Sequence, residues 1–203
     1  MFPSPPLLVI SDRSQAKRPL HDVAEAAFRA GCRWFSLREK DLPPEERLAL
    51  LRALVALGHH FGATVTVHDD IDAAVAAGAD GIHLPDGGDV AAARRRLPNG
   101  LIGVSAHSPQ DAAAKLGAGA DYATLSPIFL TESKPGYGPA LGLDALQTAA
   151  VLSAGPIIAL AGIDEHNAAA CLTAGARGIA AMGEIMRAPD PEDVTRRIIA
   201  AMK

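Results

Sequence analysis

Two cations stand two residues apart in Ser36-Leu37-Arg38-Glu39-Lys40, at the end of an apolar run that begins at Trp34. In an extended chain alternate side chains share a face, so Ser36, Arg38 and Lys40 point one way and Leu37 and Glu39 the other. Converging cations make an anion site, and a guanidinium grips phosphate through parallel hydrogen bonds. The competing reading is a structural ion-pair network in which Glu39 or Asp41 neutralises both. A second apolar run ends His68-Asp69-Asp70. Carboxylates at such an end suit Mg2+, a hard cation with oxygen ligands. Helix capping is the alternative, but it needs only one of Asp69, Asp70 and Asp72, and Asp72 reads as a cap alone. His68 lines the same mouth or satisfies a neighbour.

A third run ends Gly103-Val104-Ser105-Ala106-His107-Ser108, which sets Ser105 and His107 on one face. Histidine titrates near working pH, so His107 is a candidate general acid/base, set against a capping or packing role. A serine hydrolase would ask for Gly-x-Ser-x-Gly, and His107 stands where the second Gly belongs. Thr131-Glu132-Ser133-Lys134 offers hydroxyls, backbone N–H groups and an ammonium to a phosphate or pyrophosphate. It lies in the long aperiodic segment 127–142, and long loops in tight domains tend to be functional. Gly162 and Gly183 follow two further apolar runs, where a missing side chain lets a phosphate reach the backbone; tight strand–helix packing is the alternative. The Gly-rich segment from His83 to Asp89 matches neither a P-loop nor a dinucleotide fingerprint, and Asp89 reads as the N-cap before Val90. His59 and His60 close a helix favourably for its dipole, and His166 lies on the surface near the start of another.

The elements that must position these ends repeat. Ala30-Gly31, Ala77-Gly78, Ala118-Gly119 and Ala174-Gly175 each close a helical pattern two residues before an apolar run. Gly just past a helix supplies the left-handed turn that lets a strand begin. Strands are expected over 7–12, 34–40, 64–69, 81–84, 101–105, 122–126, 157–161 and 178–182, each followed by a helical pattern. Eight strands alternating with eight helices predict a (β/α)8 TIM barrel occupying 1–203 as one domain, with chemistry at the carboxyl ends of its strands. A doubly wound open sheet is the rival, though such sheets usually stop at five or six strands.

Composition narrows the function classes. A formal charge of −4 and a pI near 5.9 argue against nucleic acid. No apolar run reaches membrane-spanning length, which argues against a membrane partner. The N-terminus lacks a basic leader and the two cysteines, Cys32 and Cys171, lack metal spacing, so a reduced cytoplasmic protein is expected. Ala-rich outer helices leave a homo-oligomer open.

The segments Leu37-Arg38-Glu39-Lys40-Asp41, Ala79-Asp80-Gly81-Ile82-His83-Leu84, Gly103 to Ser108, Ala120-Asp121-Tyr122, Thr131 to Lys134 and Ala161-Gly162-Ile163, in this order and spacing, resemble the thiamin phosphate synthase/TenI superfamily over essentially the whole chain. The resemblance implies a (β/α)8 barrel, a phosphorylated thiazole ligand and a place in thiamin biosynthesis. Synthases of this family join hydroxymethylpyrimidine diphosphate to thiazole phosphate with Mg2+ on the pyrophosphate; TenI-type members tautomerise a carboxythiazole phosphate without metal. By the synthase pattern, Arg38, Lys40, Asp69, Ser105, Thr131, Ser133 and Lys134 fall on ligand positions, with Asp69 the metal carboxylate. Other positions depart: Ser36 for a Gln that reads the pyrimidine, His68 for an Asn, Gly88 for a second Mg2+ carboxylate, Gly183 for a Ser and Ala161 for a Gly. Asp86 or Asp89 would compensate for Gly88 in a re-threaded loop. Losing a base-reading amide and a metal carboxylate together favours the tautomerase, with His107 moving the proton, Gly162 and Gly183 on the phosphate, and no cofactor. The synthase with Mg2+ is the alternative, and a non-catalytic binder or regulator the third reading.

Overall fold

A computed structural model describes residues 2–133, 136 and 138–203. Eight parallel strands close into a barrel in chain order: β1 (Leu7–Ile10), β2 (Trp34–Leu37), β3 (Thr64–His68), β4 (Gly81–Leu84), β5 (Leu101–Ala106), β6 (Tyr122–Leu125), β7 (Ile157–Leu160) and β8 (Gly178–Ala181). Closure is made by β1 pairing β8, with Leu7 opposite Ile179. The helices are α1 (Leu20–Arg29), α2 (Pro44–His60), α3 (Ile71–Ala77), α4 (Val90–Arg96), α5 (Pro109–Gly117), α6 (Gly142–Leu152), α7 (Ala168–Thr173), α8 (Gly183–Met186) and α9 (Pro191–Ala201). The expected barrel is therefore present, with one correction: a short extra helix, α8, follows β8, so the alternation is not strictly eight and eight. All four Ala-Gly junctions turn through left-handed glycine, with φ of +103° at Gly31, +65° at Gly78, +101° at Gly119 and +98° at Gly175.

Strand alternation builds the interior in layers. At the floor, Leu8, Trp34, Tyr122, Ile158 and Ala180 form one apolar cluster. The Trp34 and Tyr122 rings meet edge to face at 4.7 Å, and Phe2 packs against Trp34 at 5.2 Å from below. Two residues further along the strands come buried polar groups, Ser36, Thr66, His83 and Thr124. Two more residues bring the chain to the mouth. The outward faces (Val9, Phe35, Val65, Ile102 and their neighbours) pack against the helices in a separate, larger cluster. Gly103 is glycine because Tyr122 needs its space: a Cβ there would lie 1.9 Å from the Tyr122 ring.

Several strands end sooner than expected. β1 stops at Ile10 and β2 at Leu37, because the chain beyond them is tied by side chains. Ser11 Oγ donates to Glu39 Oε1 at 2.6 Å, Arg13 N donates to the same carboxylate at 3.1 Å, and Arg38 N donates to Ser11 Oγ at 2.8 Å.

Candidate functional site

The carboxyl ends of the strands open on a cavity of about 320 Å³. Arg38, Lys40, Asp69, Ser105, His107, Thr131, Ser133, Gly162 and Gly183 all line it. Lys134 lies outside the described residues. Segments spread over most of the sequence thus converge on one cup.

On the β2–β3 side, the acids expected to neutralise the cations face elsewhere. Glu39 is buried against Ser11 and the Arg13 backbone, and Asp41 accepts from Arg13 Nη2 at 2.8 Å. Among the described residues no carboxylate pairs with the Arg38 guanidinium; Lys40 Nζ stands 3.8 Å from Asp69 Oδ2. The three acids after β3 divide their work. Asp70 caps α3 by accepting from Ala73 N at 2.8 Å, Asp72 pairs with Arg96 on the surface, and Asp69 is left facing the cavity at φ +57°.

Beneath this side lies a polar chain that the motif reading missed. His83 Nδ1 meets Tyr122 Oη at 3.0 Å and its Nε2 meets Ser105 Oγ at 3.1 Å. Burial, reinforced by the charges of Arg38 and Lys40, pulls the His83 pKa down to about 3, so the ring is neutral at ordinary pH. A neutral imidazole donates from one nitrogen and accepts at the other, which couples the Ser105 hydroxyl to Tyr122. His68 lines the cavity and packs against His83, the rings tilted by 36° with centroids 4.5 Å apart. The same alternation that exposed Arg38 marks His83 as inward, two residues after Gly81.

On the β4–β5 side, His107 Nδ1 lies 3.0 Å from the Ser126 carbonyl oxygen. That oxygen only accepts, so Nδ1 carries the proton. Lys115 Nζ donates to Ser105 O and Asp111 Oδ2, both at 2.7 Å, and to Asp86 Oδ1. Burial alone would pull the Lys115 pKa down, but Asp111 and Asp86 outweigh it and leave it raised; Lys115 in turn lowers the pKa of Asp86. Asp89 caps α4 by accepting from Ala92 N at 2.8 Å, whereas Asp86 lines the cavity.

On the β7–β8 side the donors are backbone groups. Ala161 and Gly162 both have positive φ, +83° and +64°, and Asn167 Nδ2 holds the Gly162 carbonyl at 2.8 Å. Among the described residues, no hydrogen bond uses the N–H groups of Gly162, Ile163, Gly183 or Glu184. Side-chain-free loops after β7 and β8 with N–H groups to offer are the usual phosphate cradle of a barrel. Arg187, at the end of α8, also faces this part of the cavity.

The family model for thiamine monophosphate synthase matches residues 7–185. The chain belongs to that family. It is 39% identical over 202 residues to a thiamine-phosphate synthase of Chlorobium luteolum, covering 98% of this chain and 93% of that one. A thiamine-phosphate synthase of Roseiflexus sp. RS-1 is 38% identical over 197 residues, 96% of this chain and 84% of the relative. A solved thiamine phosphate pyrophosphorylase from Pyrococcus furiosus superimposes with a TM-score of 0.88 at 28% identity, covering 97% of this chain and 94% of that one.

These relatives correct the expectation of a tautomerase: near full-length family members at this identity carry the synthase name. The departures that favoured the isomerase have local physical reasons. Gly88 sits in a turn where a Cβ would fall 2.7 Å from Leu84 Cβ, while Asp86 from the same loop reaches the cavity. Ala161 takes the positive φ of the Gly it replaces. Ser36 is sealed below the mouth, its hydroxyl accepting from Thr66 Oγ1 at 2.8 Å. At Gly183 a Cβ would collide with Ser133 Oγ and Arg187 Nη1, at 2.3 and 2.4 Å. His107, the proton carrier expected of the isomerase chemistry, lies on the cavity lining. Among the described residues no helix is long and apolar enough to cross a membrane.

Proposed function

We propose that this enzyme of thiamin biosynthesis is a thiamine-phosphate synthase, joining a hydroxymethylpyrimidine diphosphate to a thiazole phosphate with release of pyrophosphate. The observation that carries the proposal is the common cavity: cations on one wall and, on the other, backbone N–H groups unpartnered among the described residues offer two anion sites in one cup. Two phosphorylated substrates need two such sites, and relatives at 38 and 39% identity bear the synthase name.

In this reading a C–N bond forms between the thiazole nitrogen and the pyrimidine methylene carbon, and the C–O bond to diphosphate breaks. Negative charge grows on the departing oxygen. Arg38 and Lys40 are aimed where that charge develops, with Ser105 as a hydroxyl partner and Lys134 as a further cation by its place in the motif, while Thr131 and Ser133 stand beside Gly183. Ser105 is held by His83, whose neutrality keeps it from competing with the cations for the leaving group. The N–H groups at Gly162 and Gly183 hold the thiazole phosphate, so the two ring systems meet between the walls.

The donor set suits Mg2+. Among the described residues no group of three or more His, Cys, Asp or Glu forms a metal cage. Mg2+ does not need one, since it commonly takes one or two carboxylates with the rest from substrate phosphates and water. Asp69 would hold it, with Asp86 as the second acid on the cavity; bound there, the ion would neutralise the leaving diphosphate. Asp89 is engaged in its cap, and Asp86, which lines the cavity, also accepts from Lys115 Nζ.

Incubating the purified protein with both substrates and Mg2+ tests the proposal. Metal-dependent formation of thiamin phosphate and pyrophosphate is the expected result; absence of product at saturating Mg2+ would overturn it.

A further inference from the structure

Among the described residues, every carboxylate that lines the cavity already faces a cation. Asp69 stands 3.8 Å from Lys40 and Glu184 stands 3.3 Å from Arg187, while Asp86 accepts from Lys115. The third pair is the most closely built. Lys115 belongs to the last turn of α5, far from the mouth by its place in the helix. Helical side chains lean toward the N-terminus, however, and in this barrel the N-terminus of α5 is at the mouth. The Lys115 side chain is only 15% exposed. Its ammonium has three protons and meets three acceptors: Asp86 Oδ1, Asp111 Oδ2 at 2.7 Å and the Ser105 carbonyl oxygen at 2.7 Å.

The two acids come from different places. Asp111 lies one turn back on the same helix and also accepts from His107 N at 3.3 Å. Asp86 stands on the turn Pro85–Gly88, which Gly88 N closes on the Pro85 carbonyl oxygen at 3.0 Å, and its side chain is 62% exposed. Two carboxylates and one ammonium leave this cluster with one negative charge, enough to attract a second cation. A Mg2+ ion that takes Asp86 must nevertheless share the carboxylate with a like charge or draw it away from Lys115.

We propose that Lys115 competes with Mg2+ for Asp86 and thereby sets the affinity of this enzyme for its metal. The inference rests on the synthase reading, in which Asp86 is the second acid of the metal site. Lys115 is a positioning residue and acts through Asp86, without touching the reacting atoms.

Calorimetric titration with Mg2+ alone, on wild type, Lys115→Met and the double variant Lys115→Met/Asp86→Asn, reads the competition directly. Lys115→Met should bind Mg2+ about thirtyfold more tightly than wild type. Two like unit charges about 4 Å apart disfavour each other about fivefold in water, and a divalent ion squares that factor. A lysine that only clamps the loops would leave the affinity unchanged or lower it, and either result overturns the proposal. Adding Asp86→Asn should remove the gain; a gain that survives, carried by Asp111 alone, overturns it as well. If Lys115→Met does not fold, Asp86→Asn decides, because its exposed side chain puts the fold at little risk. Titrated with Mg2+ at saturating pyrophosphate, that variant should bind the ion about tenfold more weakly than wild type, and equal affinity ends the proposal. A wild-type enzyme that makes no thiamin phosphate would count against the synthase reading alone, since none of these titrations needs turnover.

Discussion

In the synthase reading the two walls of the cavity present anion-binding groups in different ways. The β2–β3 wall offers the side chains of Arg38 and Lys40 beside the Asp69 carboxylate, with Lys40 and Asp69 about half exposed and no structural ion pair on Arg38 among the described residues. The β7–β8 wall offers peptide N–H groups at Gly162, set by left-handed backbone, and at Gly183, which packs against Ser133 and Arg187. Chemistry on the first wall is separable from the fold. On the second wall it is the fold.

The sharpest break of that contrast is Arg38→Ala. It should lower kcat/KM for the diphosphate by about a thousandfold, as expected of a charge clamp at a leaving group, while a thermal melt stays within about 2 °C of wild type. A melt that falls along with activity would mean the cation is structural after all. Gly162→Ala should fail on both counts together. Its φ is +64° and the new Cβ would lie 2.3 Å from the Leu130 carbonyl oxygen, so about 2–3 kcal/mol of stability should go. KM for the thiazole phosphate should rise in parallel, and a stable variant with an intact KM would show that this wall tolerates side chains.

Between the walls, His83 ties site and stability through pH. Its pKa falls from 6.5 to about 3 on folding, so below pH 6.5 the unfolded chain takes up a proton that the folded chain refuses. Stability is full above that value and falls as pH drops toward 3, by about 1.4 kcal/mol per unit. Urea midpoints of wild type and His83→Gln, compared from pH 7 to pH 4, should converge as the pH falls; parallel curves would refute the buried neutral ring. The smallest effect is reserved for the outside of the barrel. Asp89→Ala removes an N-cap and should cost about 1 kcal/mol in denaturant unfolding, with both KM values unchanged.

The contrast also explains what was legible in the sequence. Period-two alternation located Arg38, Lys40, Ser105 and His107, because an inward side chain at a strand end has one place to go; Asp69 was legible as one of three clustered acids, and reaches the cavity through its left-handed φ of +57°. The barrel itself was legible from four Ala-Gly junctions, each of which turns through positive φ. The phosphate wall was legible only as two glycines, since a backbone N–H leaves no letter of its own. His83 obeyed the same alternation and was overlooked for want of a charge. Arg187 carried no signal: its place at the cavity depends on α8, a single turn that no helical periodicity announces. The tautomerase expectation failed for a related reason. It gave most weight to losing a base-reading amide at Ser36 and a metal carboxylate at Gly88 together, whereas Asp86 from the same loop as Gly88 lines the cavity and Ala161 keeps a left-handed φ.

The chain has one tryptophan, Trp34, and the fold places it at the far end of the barrel from the ligand cup. Its indole N–H is buried without a hydrogen-bond partner among the described residues, wedged between Phe2 and Tyr122. Its fluorescence should therefore be blue-shifted and blind to solvent. A compound seated in the cup leaves that emission wavelength unmoved, so a red shift during titration reports a loosened barrel bottom rather than occupancy.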